Sequence, residues 1–343
     1  MASWTLPRAL DDFQYRGLDT VFLENRAVRV MVLPGKGGDV LEFRDKRTDT
    51  DVLWHADHNW QTPTDRPVPS VDATMFHDHY PGGWQVNLPV AGYTEGFYEA
   101  PYGLHGESAL VPFEYDTSEA ADGVELSLRA ELVRYPFVVE RILRLPAGEA
   151  RLEIEETVTN EGEEPLPYMW QHHLALGHPL LGPDATLEIP AETGVVHDYA
   201  EGHRNARLTG DSTFDWPTAP GEDGDVDLSE IPPPDATIHD VAYATDLETG
   251  RFALSNPTLD LRFTFEFPAD VFESVWYWQA FGGHMGSPYF GRNYNAGLEP
   301  TTAYPSDTIP AAQEENETMD TLSAGATVTA NCVASTGPAP DVK

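Results

Sequence analysis

The sequence is poor in cysteine and has no long apolar run. Its 343 residues include one cysteine, Cys332, so no disulfide framework can form within the chain. A thiol nucleophile is set aside as well, because no histidine lies near Cys332 in the sequence to activate it. Nowhere does an apolar stretch approach the roughly 20 residues that a membrane helix requires. The segment from Met1 to Arg8 also lacks the apolar core of a secretory signal, and we expect a soluble cytoplasmic protein.

Positive charge is scarce. The chain has 57 acidic and 20 basic residues, a formal net charge of −37, and only three lysines. Such a surface repels nucleic-acid backbones and anionic membranes, so neither is expected as a partner. The carboxylates are scattered along the whole chain, as in proteins of salt-accumulating halophilic archaea, where high salt screens the self-repulsion. The alternative, an acidic calcium-binding surface, is disfavoured because no Asp-x-Asp-x-Asp-Gly loop with a closing glutamate is present.

Apolar and polar residues alternate in many short stretches. Examples are Val28–Val32, Val124–Leu132 and Leu152–Val158. Alternation with a period of two is typical of half-buried β-strands, and 28 glycines and 29 prolines supply turns between them. We therefore predict an all-β sandwich of mostly antiparallel strands. It is expected to form a single domain over residues 1–334, followed by a disordered tail at residues 335–343.

Three short segments, far apart in the chain, carry side chains that can move protons. They are Gly103-Leu-His105-Gly106, His172-His173-Leu-Ala-Leu-Gly177 and Asn295-Ala-Gly-Leu-Glu299-Pro300. Imidazole titrates near neutrality, with an unperturbed pKa of about 6.5, and a carboxylate can serve as a base. Each segment alone is compatible with a purely structural role. Together they make His105, His173 and Glu299 the candidate catalytic residues.

In this order, the segments resemble the aldose 1-epimerase (galactose mutarotase-like) superfamily. The resemblance extends to the Gly37–Asp45 hairpin near the start and to Leu322–Gly325 near the end. It implies the large β-supersandwich of that family, in agreement with the strand pattern. It also implies a cofactor-independent isomerase acting on a monosaccharide or a sugar acid. We expect a monomer or a homodimer, since an exposed edge strand can pair with a second copy.

The mechanism implied by the resemblance opens and recloses a hexose or pentose ring. Glu299 takes the proton of the anomeric hydroxyl, and His173 donates one to the ring oxygen. His105 hydrogen-bonds the sugar and stabilises charge near the ring oxygen. These roles require an ionised Glu299 and a protonated His173 when the sugar binds, and they imply a bell-shaped pH dependence. The competing function is a carbohydrate-binding protein on the same fold without turnover.

Strand alternation decides which neighbouring residues line the pocket. Adjacent residues of a strand point to opposite faces, so only one of His172 and His173 faces the sugar, and the family pattern favours His173. In the aromatic run at residues 276–283, Trp278 or Gln279 is predicted to contact the sugar, because sugar C–H faces pack well on indole rings.

The chain departs from the family in the segment before His105. Galactose mutarotases carry an arginine with an asparagine there, whereas residues 77–87 contain no arginine. Gln85 and Asn87 are predicted to take over the sugar contacts. Arg292, the basic residue nearest in sequence to the glutamate segment, completes the predicted substrate-binding set.

The same segment contains the pair His77-x-His79. Alternate residues of a strand face one side, and histidine is a common metal ligand. No third ligand lies at a recognisable spacing. A β-sandwich metalloenzyme therefore remains an alternative, and no metal is predicted.

Overall fold

The computed structural model describes residues 6–62, 76–92, 103–198, 204–305, 312 and 317–340. Within them the chain forms 24 β-strands, two 3₁₀ helices, Ser108–Leu110 and Pro257–Leu259, and a helical turn at residues 76–78. The strands are β1 (Arg8–Tyr15), β2 (Leu18–Glu24), β3 (Val28–Leu33), β4 (Asp39–Asp45), β5 (Thr50–Asp51), β6 (Trp84–Asn87), β7 (Glu114–Ala120), β8 (Gly123–Glu131), β9 (Phe137–Pro146), β10 (Arg151–Asn160), β11 (Leu166–Tyr168), β12 (Gln171–Gly177), β13 (Thr186–Glu188), β14 (Ala191–Val196), β15 (Thr213–Asp215), β16 (Thr218–Ala219), β17 (Val226–Asp227), β18 (Ile238–Leu247), β19 (Arg251–Asn256), β20 (Leu261–Glu266), β21 (Ser274–Phe281), β22 (Tyr294–Thr301), β23 (Asp320–Leu322) and β24 (Thr327–Gly337). In this part of the chain, no helix has the length and apolarity needed to cross a bilayer.

Two large sheets form the body of the protein. The first has 12 strands in the order β1-β2-β3-β4-β6-β12-β22-β21-β18-β14-β15, with β5 paired to β4. The second has eight strands in the order β13-β19-β20-β24-β10-β9-β8-β7. The pairings β4–β6, β6–β12, β12–β22 and β22–β21, which lie at the centre of the first sheet, are all antiparallel. The predicted all-β, mostly antiparallel sandwich is confirmed.

The hydrophobic core lies between the two sheets. Along β10, Leu152, Ile154 and Val158 are at most 2% exposed, whereas Glu153 and Glu155 between them are partly or fully exposed. They belong to one apolar cluster that also includes Val30 and Phe43 of the first sheet. Burying each such side chain stabilises the fold by about 1.5–3 kcal/mol, so the alternation read from the sequence is the direct cause of the sandwich.

The central strand β12 is buried on both faces. All seven of its residues, Gln171–Gly177, are buried. One face contributes to the inter-sheet core. The other lies under a second, smaller apolar cluster that includes Trp54, Phe76 and Tyr80. Consecutive polar side chains at the start of β12 are therefore all buried, which commits each of them to a specific partner.

The last strand continues past the predicted domain boundary. β24 pairs with β10 and β20 and reaches Gly337. Residues 335–337 are therefore strand, although the sequence predicts the start of a tail at residue 335. They are held by β-ladder hydrogen bonds opposite Arg151 and Arg262. Residues 341–343 of the predicted tail lie outside the described part.

Candidate active site

A row of buried polar side chains crosses the centre of the first sheet. Asp39, Gln85, His173 and Glu299 lie on β4, β6, β12 and β22, which are adjacent. The registers Val40↔Trp84, His173↔Gln85 and Leu174↔Leu298 place these four directly opposite one another. Opposed residues of antiparallel strands share a face. The sheet thus brings His173 and Glu299 together, although 126 positions separate them in the chain.

His173 and Glu299 form a close pair. The Nε2 atom of His173 lies 3.4 Å from Oε1 of Glu299, and each residue is 3% exposed. Burial disfavours charge on both groups. It raises the pKa of Glu299 to about 8 and lowers the pKa of His173 to about 3. Near neutral pH the unliganded pair therefore holds one proton, and that proton is on the carboxyl group.

This distribution differs from the one expected at substrate binding. The resemblance implied an ionised Glu299 and a protonated His173. Burial reverses the location of the proton without changing the number of protons, because both forms of the pair carry one. Moving it from Oε1 of Glu299 to Nε2 of His173 converts the resting form into the expected form, and interacting groups of this kind titrate as a unit.

Two amides orient the carboxyl group of Glu299. Gln171 lies two residues before His173 on the same face of β12 and donates its Nε2–H to Oε2 of Glu299 over 3.0 Å. Asn87 in turn donates its Nδ2–H to Oε1 of Gln171 over 2.8 Å. Because Oε2 accepts this bond, the proton of the neutral carboxyl is directed to Oε1, which faces His173. Asn87 thus acts through Gln171, and its own Oδ1 has no partner among the described residues.

His105 adjoins His173. The two rings are 4.8 Å apart between centroids, and His105 is 8% exposed. Its backbone has φ of 63°, and its N–H donates to the carbonyl of Gly92 at 3.2 Å. The following residue, Gly106, approaches Leu88 so closely that a Cβ would lie 2.3 Å from the Leu88 carbonyl oxygen. The tight Gly-Leu-His-Gly turn is what carries the imidazole into the site.

The hydrogen bonding of His105 alters its predicted role. Nδ1 contacts the carbonyl oxygen of Ala91, so Nδ1 carries the proton and donates. Burial and the neighbouring His173 lower the pKa of His105 well below its ordinary value. A neutral ring with a protonated Nδ1 presents Nε2 as an acceptor. His105 can thus accept a hydrogen bond from a sugar hydroxyl, but in this form it cannot stabilise negative charge at a ring oxygen.

Gln85 lies inside the polar row. Its Nε2–H₂ group donates to the carbonyl oxygen of Gly82 at 2.8 Å and to Oδ2 of Asp39 at 3.2 Å. Asp39 is paired with Lys36, whose Nζ is 2.5 Å from Oδ2. The amide hydrogens of Gln85 are therefore committed to the protein. Its Oε1, buried and without a partner among the described residues, is the group it can offer to a ligand.

Trp278 and Gln279 lie on opposite faces of β21. Trp278 pairs with Gly297 and its ring is 6.0 Å from that of His173, so it borders the site. Gln279 pairs with Asp240 on the other face, where its Oε1 accepts a hydrogen bond from Arg207 at 2.6 Å. The predicted sugar contact of Gln279 is wrong, because strand alternation turns its side chain away from His173.

Arg292 lies at the outer edge of this region. Its side chain is exposed and donates to the backbone carbonyls of Pro288 and Tyr289. It borders a small cleft together with Trp54, His58 and Asn293. The guanidinium is therefore not brought to the His173–Glu299 pair.

The metal alternative for His77 and His79 rests on a strand that does not form. Residues 76–78 are helical, so the two side chains are not alternate residues of one strand. Burial lowers the pKa of His77 to about 4, and its ring packs edge-on to Tyr289 at 5.7 Å. Within the described ranges, no three or more His, Cys, Asp or Glu side chains are arranged to hold a metal ion.

His172 has a different environment from His173. It faces the inter-sheet core, where Trp84 donates its Nε1–H to Nδ1 of His172 at 3.1 Å. Its Nε2 lies 3.2 Å from Oε2 of Glu156, which is itself paired with Arg141 at 2.7 Å. The side chains of His172, Glu156 and Arg141 have no solvent exposure. This buried network holds β12 on the side of the sheet that faces the core.

Sequence reasoning assigned no role to Gln171, Tyr80 or Asn295. Gln171 could have been found, because it precedes His173 by two residues and must share its face. Tyr80 and Asn295 are fully buried with polar atoms that have no partner among the described residues. No pattern in the sequence distinguishes such atoms from satisfied ones.

Several solved structures share this fold, and two of those compared are described as galactose mutarotase-like. The galactose mutarotase-like protein of Clostridium acetobutylicum superposes with a TM-score of 0.67 at 14% identity, covering 96% of this chain and 98% of the other. A galactose mutarotase-like protein of Lactobacillus casei gives 0.60 at 16% identity, with 92% and 99% coverage. The Slr1438 protein of Synechocystis sp. PCC 6803 gives 0.65 at 18% identity, with 96% and 100% coverage.

At these identities the likeness shows the fold alone. No curated protein matches the chain significantly. A family of domains does match it over residues 15–333, which is most of its length. By this match, the chain belongs to the family described as Domain of unknown function (DUF4432).

Proposed function

We propose that this protein is an aldose 1-epimerase-like isomerase, which interconverts sugar anomers by opening and reclosing the ring. The observation that carries the proposal is the buried contact between His173 Nε2 and Glu299 Oε1, which share one proton. The fold shared with galactose mutarotase-like proteins supports it. An acid and a base held side by side in a dry site are what ring opening needs, because one proton must leave the anomeric hydroxyl and another must reach the ring oxygen.

In the proposed cycle the pair begins as ionised Glu299 and protonated His173. Glu299 takes the proton of the anomeric hydroxyl, the bond between C1 and the ring oxygen breaks, and His173 gives its proton to that oxygen. The aldehyde is formed and the pair is left as neutral Glu299 and neutral His173. After rotation about the C1–C2 bond the steps reverse, so that His173 takes back a proton and Glu299 returns one to O1. The form favoured by burial is thus the one that accompanies the open-chain sugar.

The decisive experiment is an anomer-exchange NMR screen of the purified protein over common aldoses and uronic acids. High salt is used because a net charge of −37 and a proposed halophilic surface call for screening of carboxylate repulsion. Acceleration of exchange for any sugar supports the proposal. Saturation-transfer signals without acceleration would favour a carbohydrate-binding protein instead, and neither signal in the whole panel would exclude both.

The pH dependence follows from the shared proton. We expect the rate to be level between the pKa of about 3 of His173 and the pKa of about 8 of Glu299, because the pair holds one proton throughout that range. The rate should fall above pH 8, when that proton is lost. Polarimetry at a series of pH values checks this, after correction for the spontaneous exchange. A rate that rises steadily through pH 9 would contradict it.

Stability should respond to the same two groups. The pKa of Glu299 is 4.5 in the unfolded chain and about 8 in the folded protein. Its contribution to the free energy of unfolding is therefore complete below pH 4.5 and is lost as the pH rises toward 8. The pKa of His173 falls from 6.5 in the unfolded chain to about 3 in the folded protein. Its contribution to the free energy of unfolding is therefore complete above pH 6.5 and is lost as the pH falls toward 3. Between pH 4.5 and 6.5 the Glu299 contribution falls with rising pH about as fast as the His173 contribution grows, so their sum is highest and nearly constant there.

Gly297 provides a local test of the geometry. A Cβ at this position would lie 2.5 Å from Oε1 of Glu299 and 3.1 Å from the Trp278 side chain. Gly297→Ala should therefore displace the carboxyl group from His173 and lower the exchange rate by about 100-fold, the usual cost of a small misplacement. Gly337→Ala is the control, since a Cβ there meets nothing within 4 Å. Equal rates for the two variants, measured by polarimetry, would contradict the assigned position of Glu299.

A further inference from the structure

Tyr80 packs directly on the catalytic pair. Its ring stands edge-on to His173, with centroids 5.2 Å apart and an interplanar angle of 87°. On its other side it stacks against Phe76 at 4.9 Å. The residue is fully buried. It belongs to the smaller apolar cluster that covers the site face of the sheet.

The hydroxyl group of Tyr80 has no hydrogen-bond partner among the described residues. Burial raises the pKa of Tyr80 well above its ordinary value, and the charges of Tyr289, Glu299 and Asp39 raise it further. The phenol therefore stays protonated in its place beside His173. It is a buried donor that lacks an acceptor, which is costly unless a ligand supplies one.

The chain around Tyr80 is fixed. Gly82 and Gly83 have φ of 82° and 80°. A Cβ on Gly82 would lie 2.3 Å from the carbonyl oxygen of Trp54, and one on Gly83 would lie 2.6 Å from that of Val40. The amide of Gly83 also donates to Trp54 at 2.7 Å. This segment is anchored to two other parts of the sheet, so it cannot easily shift to give the phenol a protein partner.

Four other side-chain donors near the site are already used. Gln85 donates to Gly82 and Asp39, Gln171 to Glu299, and Trp278 to Nε2 of His239. His105 donates to Ala91. An unpartnered amide remains at Asn295, but it lies four positions before Glu299 on β22, about 13 Å away along a strand. The phenol of Tyr80 is an unpartnered donor on a ring that packs against His173.

We propose that Tyr80 is a third catalytic residue, whose hydroxyl donates a hydrogen bond to the anomeric oxygen of the sugar. This rests on the proposed isomerase function. When Glu299 removes the anomeric proton, negative charge develops on O1 until the bond to the ring oxygen has broken. A neutral O–H donor held in a dry site stabilises that charge and does not itself transfer a proton. Tyr80 thereby stabilises charge at O1, whereas neutral His105 can only accept a hydrogen bond from the sugar.

The test is Tyr80→Phe, compared with Tyr135→Phe. Tyr135 is also buried, and its hydroxyl donates to the carbonyl of Pro167. We expect Tyr80→Phe to lower kcat for anomer exchange by about 100-fold, with KM within about twofold. Its Tm should be unchanged or higher, because no protein hydrogen bond is lost. Tyr135→Phe should leave kcat unchanged and lower Tm, because a buried hydrogen bond is lost.

Three outcomes would overturn the proposed role of Tyr80. A Tyr80→Phe variant with kcat within about threefold of the wild type would overturn the proposal while leaving the isomerase function intact. A variant with a much lower Tm, or one that does not fold, would also overturn it, since the hydroxyl would then have a structural partner. If the wild type itself accelerates exchange for no sugar, the isomerase function fails, and the role of Tyr80 fails with it.

Discussion

Replacing Glu299 by glutamine is expected to lower the rate of anomer exchange by about 1,000-fold or more, in line with the loss of a general acid–base catalyst. The amide cannot take the anomeric proton or return it. The fold should tolerate the change, because Glu299 is neutral in its buried resting form and glutamine has the same shape. The free energy of unfolding at pH 8 and above should even rise, since the cost of burying a carboxylate disappears. Polarimetry and urea unfolding of the same preparation measure both effects.

Glu24→Gln is the matched control for this variant. Glu24 is paired with Lys46 and Arg8 near the surface of the first sheet. Its pKa is lowered by Lys46 and Arg8 despite partial burial, so it is ionised at neutral pH. The control should keep full activity. If the exchange rate of Glu299→Gln equals that of the control, Glu299 is not the base.

Replacing Arg141 by methionine is expected to destabilise the protein by about 3–5 kcal/mol, the cost of leaving a buried charge without its partner. Arg141 donates to Oε1 of Glu156 at 2.7 Å and to the carbonyl of Gly38 at 2.7 Å. With the guanidinium removed, Glu156 would be left facing His172 in the inter-sheet core. Urea unfolding in high salt measures the loss. Arg129→Met, which removes an exposed pair with Glu131, should leave the free energy of unfolding nearly unchanged, because solvent screens such a pair.

The double variant Arg141→Met with Glu156→Gln sharpens this expectation. Removing both charges eliminates the unpaired carboxylate, so much of the lost stability should return. If the double variant is as unstable as Arg141→Met alone, the loss comes from missing packing of the arginine side chain. In that case the buried charge is not the cause.

The fold was predictable because burial and strand geometry leave a regular trace in the sequence. The alternating residues of Val28–Val32 and Leu152–Val158 lie in β3 and β10, as the period of two indicates. The central strand β12 was harder to recognise, since all its residues are buried and polar and apolar residues do not alternate along it. There, likeness to a known family located the strand.

The site was predictable only in part. The family order pointed to His105, His173 and Glu299, and alternation left Trp278 and Gln279 as alternatives that only the register with β18 and β22 decides. Protonation could not be predicted, because it depends on how deeply Glu299 and His173 are buried. The helical turn at residues 76–78 was missed because a His-x-His pattern fits a strand equally well.

The adjacent histidines of β12 make the proposed activity depend on the pairing register of this strand. His172 needs Trp84 and Glu156 on one side of the sheet, and His173 needs Glu299 on the other. A slip of one residue in the pairing of β12 would exchange the two faces and deprive both rings of their partners at once. A molecule in which β12 pairs in the wrong register is therefore both unstable and inactive. Heat-treated or refolded preparations should contain fully competent molecules and inert ones, with few of intermediate specific activity.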